Sequence, residues 1–133
     1  MSGAVKKDAD KNPLELVSDA ALFGLGAGLC FGKEKYDEDN WREGFEWRRL
    51  IGAARRHLTL FSAGEDRDPE SGLPHLDHLM CTVMFLSEHQ KRGLGQDDRV
   101  KLDPLLLRRL ADDLEEAASR GREAKRRRES RTS

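Results

Sequence analysis

The chain has 133 residues, of which 37% are hydrophobic and 37% are charged. This length suits one domain, and so few apolar residues predict charged helices with narrow apolar stripes, which proteins often bury by forming oligomers. With Lys+Arg 24 against Asp+Glu 25, the formal net charge is −1, which argues against a general nucleic-acid-binding protein with a broad basic surface.

The cysteines and the apolar segments indicate the compartment. Cys30 and Cys81 are the two cysteines, and both lie among apolar residues. We therefore expect two buried thiols in a reducing compartment. The apolar stretch 20–31 contains three glycines and is too short to span a bilayer. We expect a soluble cytoplasmic protein with no membrane partner.

The N-terminal part predicts a flexible segment followed by a helix. Residues 1–11 are polar with mixed charges and are expected to be flexible. Asn12 and Pro13 are typical of a helix start, and apolar residues then recur at helical spacing over 14–31, before a stop at Gly32. Close packing against another helix, or a bend, is predicted at the glycines of this helix, Gly24, Gly26 and Gly28.

A second helix is predicted from Asn40 to about Gly64. Asn40 and Glu43 match a capping box, in which two side chains satisfy the first backbone N–H groups of a helix. Seven apolar residues follow at a spacing of about 3.6 residues. They are Trp41, Phe45, Leu50, Ile51, Ala54, Leu58 and Phe61.

Two more helices are predicted, followed by a basic segment. Pro74 begins a third helix, and Asp103 with Pro104 is an N-cap and first-turn pair for a fourth. Residues 120–133 are mostly basic and form either a solvated helix extension or a disordered tail. Because no strand pattern is visible, we predict an all-α fold with a domain over 12–119, a four-helix up-and-down bundle that forms oligomers.

Two carboxylates follow the second predicted helix. Glu65 and Asp68 are spaced i, i+3, which puts both on one side of a helix end. Paired carboxylates bind Mg²⁺ or Mn²⁺, because hard cations prefer oxygen ligands. The pair alone is a weak signal, since a highly charged chain also produces it by chance in a solvated turn.

Three of the four histidines lie near this pair of acids. His57 precedes it on the second helix, and His75 and His78 are spaced i, i+3 at the start of the third. Imidazoles and carboxylates grouped in this way predict a site for magnesium-dependent chemistry on a phosphate ester. A zinc site on His75, His78 and Cys81 is a weaker alternative, because no second cysteine lies at ligand spacing.

Further candidates could bind the phosphates and the base of a nucleotide. Arg49 and Arg56 are seven residues apart and so share one side of the second helix, where they either face an anion or pair with surface acids. The loop before this helix offers a cation, aromatic rings and an amide for the same purpose, although its rings would also fasten the loop to the helices. These residues are Lys35, Tyr36, Asn40 and Trp41.

The motifs KYDEDNW, ARRHL and GEDRDPESGLPHLDH occur in this order and are followed by an apolar helix ending in FL. They resemble the dATP/dGTP diphosphohydrolase domain of many bacteriophage proteins, over roughly Leu14 to Glu88. That family is related in mechanism to the MazG-like all-α NTP pyrophosphohydrolases. One branch of such enzymes serves phages that replace adenine by 2-aminoadenine and supplies dGMP by cleaving dGTP. For a viral protein, the compartment would be the host cytoplasm.

The resemblance implies hydrolysis of a purine deoxynucleoside triphosphate between the α and β phosphates. The substrate would be dGTP, with dATP or the ribonucleotide GTP as alternatives, and the products would be a monophosphate and pyrophosphate. It further implies Mg²⁺ or Mn²⁺ on Glu65 and Asp68 with Glu46 or Asp77. Glu34 and Glu38 are further candidate ligands, and a homodimer or homotetramer is expected. A carboxylate or His75 would accept the proton of the attacking water. The expected substrate-binding residues are Lys35, Tyr36, Asn40, Trp41, Arg49, Arg56, His57 and His78.

Two alternatives stay open on the sequence alone. A non-enzymatic helical adaptor would bind nucleic acid or an acidic protein through the basic segment, which contains Arg126, Arg127 and Arg128. A pyrophosphatase with a different base preference would use the same cluster of acids and histidines.

Overall fold

The computed structural model describes residues 3–5 and 10–132, and these residues form helices and loops without a β-strand. The predicted all-α class is therefore confirmed. The expected flexibility of residues 1–11 stays a prediction, since residues 1–2 and 6–9 lie outside the described part of the chain. The α-helices are α1 (Asp19–Lys35), α2 (Trp47–Ser62), α3 (His75–Arg92) and α4 (Pro104–Thr132), with short 3-10 helices at Leu14–Leu16 and Asn40–Glu43.

The chain divides into two compact units. The first ends at Asp98 and contains α1, α2 and α3, with α3 packed against both other helices. The second begins at Arg99 and contains α4. The predicted boundary at residue 119 falls inside α4. The basic segment after it continues the same helix as far as Thr132.

Helix α1 begins and ends later than its sequence pattern predicts. The predicted start at Asn12 and Pro13 is wrong, because Pro13 instead precedes the 3-10 helix. The N-cap of α1 is Ser18, whose hydroxyl oxygen accepts a hydrogen bond from Ala21 N at 3.2 Å. The predicted stop at Gly32 is also wrong, since α1 continues to Lys35.

Two of the three glycines allow α1 to lie close to α3. A Cβ atom at Gly24 would lie 2.7 Å from Asp77 Cγ, and one at Gly28 would lie 2.5 Å from Cys81 Sγ. Gly26 lies on another side of the helix, with nothing within 4 Å of such an atom. The predicted close packing is thus confirmed for Gly24 and Gly28 and not for Gly26.

The start of α2 also differs from the prediction. The expected capping box at Asn40 and Glu43 is wrong, since these residues span a 3-10 helix and α2 begins only at Trp47. The chain bends between the 3-10 helix and α2 at Gly44, which has a φ of 99° and lies against the backbone of Gly95.

The fourth histidine, His89, fastens this bend to the end of α3. His89 is fully buried, and its Nε2 accepts a hydrogen bond from Phe45 N at 3.0 Å. Nearby, Trp47 Nε1 donates to Leu94 O at 3.0 Å. The two bonds join the start of α2 and the loop before it to the end of α3, where Gly93 has a left-handed conformation. His89 therefore has a structural role in this unit.

The two cysteines occupy different environments. Cys81 is buried as predicted, and its Sγ donates to Leu25 O at 3.4 Å. Burial, reinforced by the nearby Asp77 carboxylate, raises the pKa of Cys81 to about 11. The prediction for Cys30 is wrong, because this thiol is exposed.

The apolar interior of the described structure is small. Leu50 and Cys81 are its buried hydrophobic residues, which agrees with the predicted narrow stripes. Across the described residues, none of the helices has both the length and the apolar character that crossing a membrane requires.

Candidate functional site

A tight turn between α2 and α3, residues 63–74, brings the predicted acids against the start of α3. Its backbone closes on itself, with Asp68 N donating to Leu73 O at 2.8 Å and Gly72 N donating to Asp68 O at 2.7 Å. His75 N then donates to Asp66 O at 2.9 Å. Because these bonds fix the path of the turn, acids and histidines that are far apart in sequence face each other.

Three side chains, from α2, the turn and α3, form a hydrogen-bonded series. His75 is fully buried, with its Nε2 2.7 Å from Glu65 Oε1 and its Nδ1 2.9 Å from His57 Nδ1. An ionised carboxylate only accepts hydrogen bonds, so His75 Nε2 carries the proton, and in a neutral ring its Nδ1 then accepts from His57. This Glu65–His75–His57 chain leaves the lone pair of a neutral His57 on Nε2.

The surroundings of His57 favour its neutral form. Partial burial is the main reason that its pKa lies below the usual value of 6.5, and the neighbouring His78 and His75 lower it further. The rings of His57 and His78 are stacked, with centroids 5.0 Å apart. At neutral pH, His57 is therefore in the form that can accept a proton.

A second group, formed by Asp68, Ser71 and His78, lies beside the Glu65–His75–His57 chain. Ser71 Oγ and His78 Nε2 are hydrogen-bonded at 2.6 Å, and Asp68 Oδ2 lies 3.8 Å from the same nitrogen. Burial tends to raise the pKa of Asp68, but hydrogen bonds from the Ser71 side chain and backbone outweigh it, so the net shift is downward. Asp68 is therefore ionised at neutral pH.

The end of α1 is tied to the turn by an ion pair. Lys35 Nζ donates a hydrogen bond to Glu70 Oε1, and this bond, with a second that Lys35 donates to the Tyr36 hydroxyl oxygen, raises the pKa of Lys35. The same nitrogen lies 5.3 Å from the centre of the Tyr36 ring. Two predicted substrate-binding residues, Lys35 and Tyr36, are thus linked to the turn that carries the acids.

Four of the other predicted substrate-binding residues form two local groups, Asn40 with Trp41 and Arg49 with Arg56. Trp41 stacks on Phe85 at 4.8 Å, and Asn40 starts the 3-10 helix before it. Arg49 and Arg56 line one cavity of about 350 Å³ and so share a side of α2, as their spacing predicts. The residues lining this cavity are Phe45, Arg48, Arg49, Leu50, Gly52 and Arg56.

The four predicted metal ligands do not come together as a set. Glu65 and Asp68 belong to the same turn. Glu46 precedes α2, eleven residues before His57, or about 16 Å along a helix. Asp77 faces α1 at Gly24. Within the part of the chain that the structure describes, no three His, Cys, Asp or Glu side chains are grouped to hold a metal ion.

The zinc alternative also fails to gather its ligands. Cys81 lies against Leu25 and Gly28 of α1, whereas His75 is directed at His57 of α2. The high pKa of Cys81 further disfavours the thiolate that zinc requires.

Comparison with known proteins agrees with this arrangement of motifs. A family model described as "dATP/dGTP diphosphohydrolase, N-terminal" matches residues 2–99. The chain belongs to this family. A "dATP/dGTP diphosphohydrolase" of Salmonella phage PMBT28 is 33% identical over 95 residues, which are 71% of this chain and 32% of the relative. The chain thus spans about a third of the length of that relative. No solved structure matches this chain.

The family region and the first compact unit nearly coincide. The match to the dATP/dGTP diphosphohydrolase model ends at residue 99, and the first unit ends at Asp98. Every candidate site residue lies inside the family region, and α4 lies outside it.

Two residues of the candidate site are missed by the sequence reasoning. Ser71 bridges Asp68 and His78. A signal for it exists, because Asp68-Pro69 and Ser71-Gly72 are typical of a turn in which the Asp side chain accepts from a backbone N–H. Arg48 lines the arginine cavity with Arg49 and Arg56. Helical spacing alone does not reveal it, since adjacent residues point about 100° apart.

Proposed function

We propose that this chain hydrolyses a purine nucleoside triphosphate between the α and β phosphates, with dGTP as the first choice and dATP or the ribonucleotide GTP as alternatives. The products are the monophosphate and pyrophosphate. The observation that carries the proposal is the Glu65–His75–His57 chain, which ends in a neutral, partly exposed imidazole. Membership of the dATP/dGTP diphosphohydrolase family supports the choice of substrate.

In this proposal His57, rather than His75, accepts the proton of the attacking water. His75 is fully buried and both of its nitrogens are hydrogen-bonded, so it cannot meet a water molecule. His57 Nε2 takes the proton, and the positive charge that develops is shared with His75 beside the Glu65 carboxylate. A carboxylate that orients and stabilises an imidazolium in this way contributes without becoming protonated itself.

Cationic side chains would bind the triphosphate. Arg48, Arg49 and Arg56 line one cavity on α2, and guanidinium groups suit phosphate oxygens because they donate two parallel hydrogen bonds. Lys35, at the edge of the 63–74 turn, would add a further charge if a phosphate displaced Glu70. Contacts of the base or sugar with Tyr36, Asn40 and Trp41 stay part of the proposal, as does a contact with His78.

A divalent cation, Mg²⁺ or Mn²⁺, belongs to the proposal. Glu65 and Asp68 would hold it, since magnesium is commonly bound by one or two carboxylates together with substrate phosphates and water rather than by a complete protein cage. Two carboxylates in one turn fit this pattern, whereas Glu46 and Asp77 do not. When bound, the ion would neutralise phosphate charge and lower the pKa of a bound water.

A panel of nucleotides tests the proposed reaction. Purified chain would be incubated with each common deoxynucleoside and ribonucleoside triphosphate and Mg²⁺, and both products would be identified. We expect monophosphate and pyrophosphate in equal amounts, formed fastest from a purine deoxynucleotide. Release of orthophosphate and a diphosphate, or no turnover of any nucleotide, would contradict the proposal. Equal rates with all bases would contradict only the purine preference.

A further inference from the structure

Helix α4 has an apolar stripe and no buried residue. The helix has 29 residues, and all the side chains described for it are exposed, including Leu110 at 50% and Leu114 at 72%. Helices in water gain most of their stability from packing an apolar face. A stripe of leucines on a long helix therefore needs a partner surface.

The stripe has the spacing of a coiled coil and an uneven distribution of size. Its positions are separated alternately by three and four residues, which is the heptad pattern of helices that wrap around each other. Large residues fill the first half and small ones the second. In order, the stripe is Leu107, Leu110, Leu114, Ala117, Gly121 and Ala124.

We propose that α4 pairs with the α4 helix of a second copy of this chain, in antiparallel orientation, about a two-fold axis between residues 115 and 116. Each leucine then meets a small residue, because two-fold pairing joins residue i to j and j to i. Alternating large and small side chains across an interface fill space without voids. The pairs are Leu107 with the partner's Ala124, Leu110 with the partner's Gly121, and Leu114 with the partner's Ala117.

The charges beside the stripe favour the same orientation. In an antiparallel pair, Asp113 lies opposite the partner's Arg120, and the two-fold axis repeats this attraction. A parallel pair in register would instead place Arg120 beside the partner's Lys125, and its layers would join leucine to leucine and Gly121 to the partner's Gly121. Flanking charges of this kind set helix orientation in coiled coils.

The pairing uses residues outside the family region and does not depend on the proposed hydrolysis. The second unit, which contains α4, begins at Arg99, and the family match ends at the same residue. The test is therefore one of association alone and needs no turnover.

Disulfide trapping in the full chain tests the orientation. Two variants would be made, Leu107→Cys and Ala124→Cys, both carrying Cys30→Ser to remove the exposed thiol, while Cys81 stays because it is buried. After the variants are mixed, allowed to exchange and exposed to oxidised glutathione, linked dimers would be quantified on a non-reducing gel. The antiparallel pair places Leu107→Cys next to the partner's Ala124→Cys.

The expected result is linkage in the mixture and none in either variant alone. Identical positions lie seventeen residues apart in the antiparallel pair, or about 25 Å along a helix, which no disulfide spans. Linkage within a single variant would overturn the proposal in favour of parallel pairing. Chains that keep the wild-type helix content and sediment as monomers, with no linkage in the mixture, would also overturn it.

Discussion

His57 differs from the other histidines because its two ring nitrogens meet different surroundings. One nitrogen donates to the buried His75, and the other belongs to a ring that is only partly buried and stacked on His78. A base in a proton transfer needs this combination of a fixed orientation and access to water. His75 meets the first condition but not the second.

Replacing His57 by Asn should therefore lower turnover strongly. The Asn amide can still donate to His75 Nδ1, so the hydrogen-bonded series keeps its geometry, but the proton acceptor is lost. We expect a loss of roughly 100-fold to 10,000-fold in kcat, the usual contribution of a general base. Steady-state rates of pyrophosphate release would measure the effect.

Arg55→Asn is the matched control, since this exposed residue lies two positions away on the same helix. Its kcat should stay within a few-fold of wild type. Equal kcat values for His57→Asn and wild type would show that His57 does not act as the base.

The group of acids and histidines can be predicted from sequence because a helix end, a short turn and a helix start must bring their side chains together. The division of roles within it cannot. The sequence does not distinguish the roles of His57 and His75, because their burial depends on how α2 packs against α3. The letter pattern proposes Glu46 as a ligand, yet most of the length of α2 separates it from the 63–74 turn.

At the scale of elements, α1 shows how one residue type can have opposite effects at nearby positions. Gly28 touches Cys81 of α3, while Gly26 faces open space. Glycine destabilises a helix by about 0.5–1 kcal/mol relative to alanine. It therefore favours stability only at a position where a larger side chain does not fit.

Alanine at these two positions should change stability in opposite directions. Gly26→Ala should raise the free energy of unfolding by about 0.4–1 kcal/mol through helix propensity. Gly28→Ala should lower it by about 1–3 kcal/mol, because its Cβ would overlap Cys81 Sγ. Urea unfolding followed by circular dichroism measures both. Destabilisation by Gly26→Ala, or no effect of Gly28→Ala, would contradict the described packing of α1.

Element boundaries are harder to predict than element types, for local physical reasons. Asn40 and Glu43 match the capping-box pattern, but the helical turn that they begin ends at Gly44. The backbone contact of Glu46 with Gln96 then precedes a new helix, which starts at Trp47. That contact joins residues about fifty positions apart, which no local pattern reveals.

At the scale of the whole molecule, the small apolar interior and the exposed stripe of α4 agree with the low apolar content of the chain. The cluster of acids and histidines combines positions from all three helices and the turn of the first unit, through His57, Glu65, His75 and the Lys35–Glu70 pair. A ligand that binds there would contact several elements at once.

Removal of divalent cations should stop the proposed reaction without unfolding the chain. We expect EDTA to abolish pyrophosphate release and added Mg²⁺ or Mn²⁺ to restore it, because two carboxylates and a triphosphate repel each other unless a cation lies between them. EDTA saturated with Mg²⁺ is the control and should have no effect. Unchanged turnover in EDTA would remove the cation from the proposal but leave the role of His57 intact.

The rate of pyrophosphate release from dGTP by Glu65→Gln tests most directly whether this cluster is the active site, because Glu65 both accepts from His75 and would help to hold the cation. The amide oxygen of the new side chain would still accept a hydrogen bond from His75, so the fold should keep its helix content, but the negative charge that stabilises the imidazolium is lost. We predict a rate at least about 100-fold below wild type, while Glu15→Gln, a change of the same kind at an exposed site, stays at the wild-type rate. A Glu65→Gln variant that hydrolyses dGTP as fast as the wild type would contradict the assignment of this cluster as the active site.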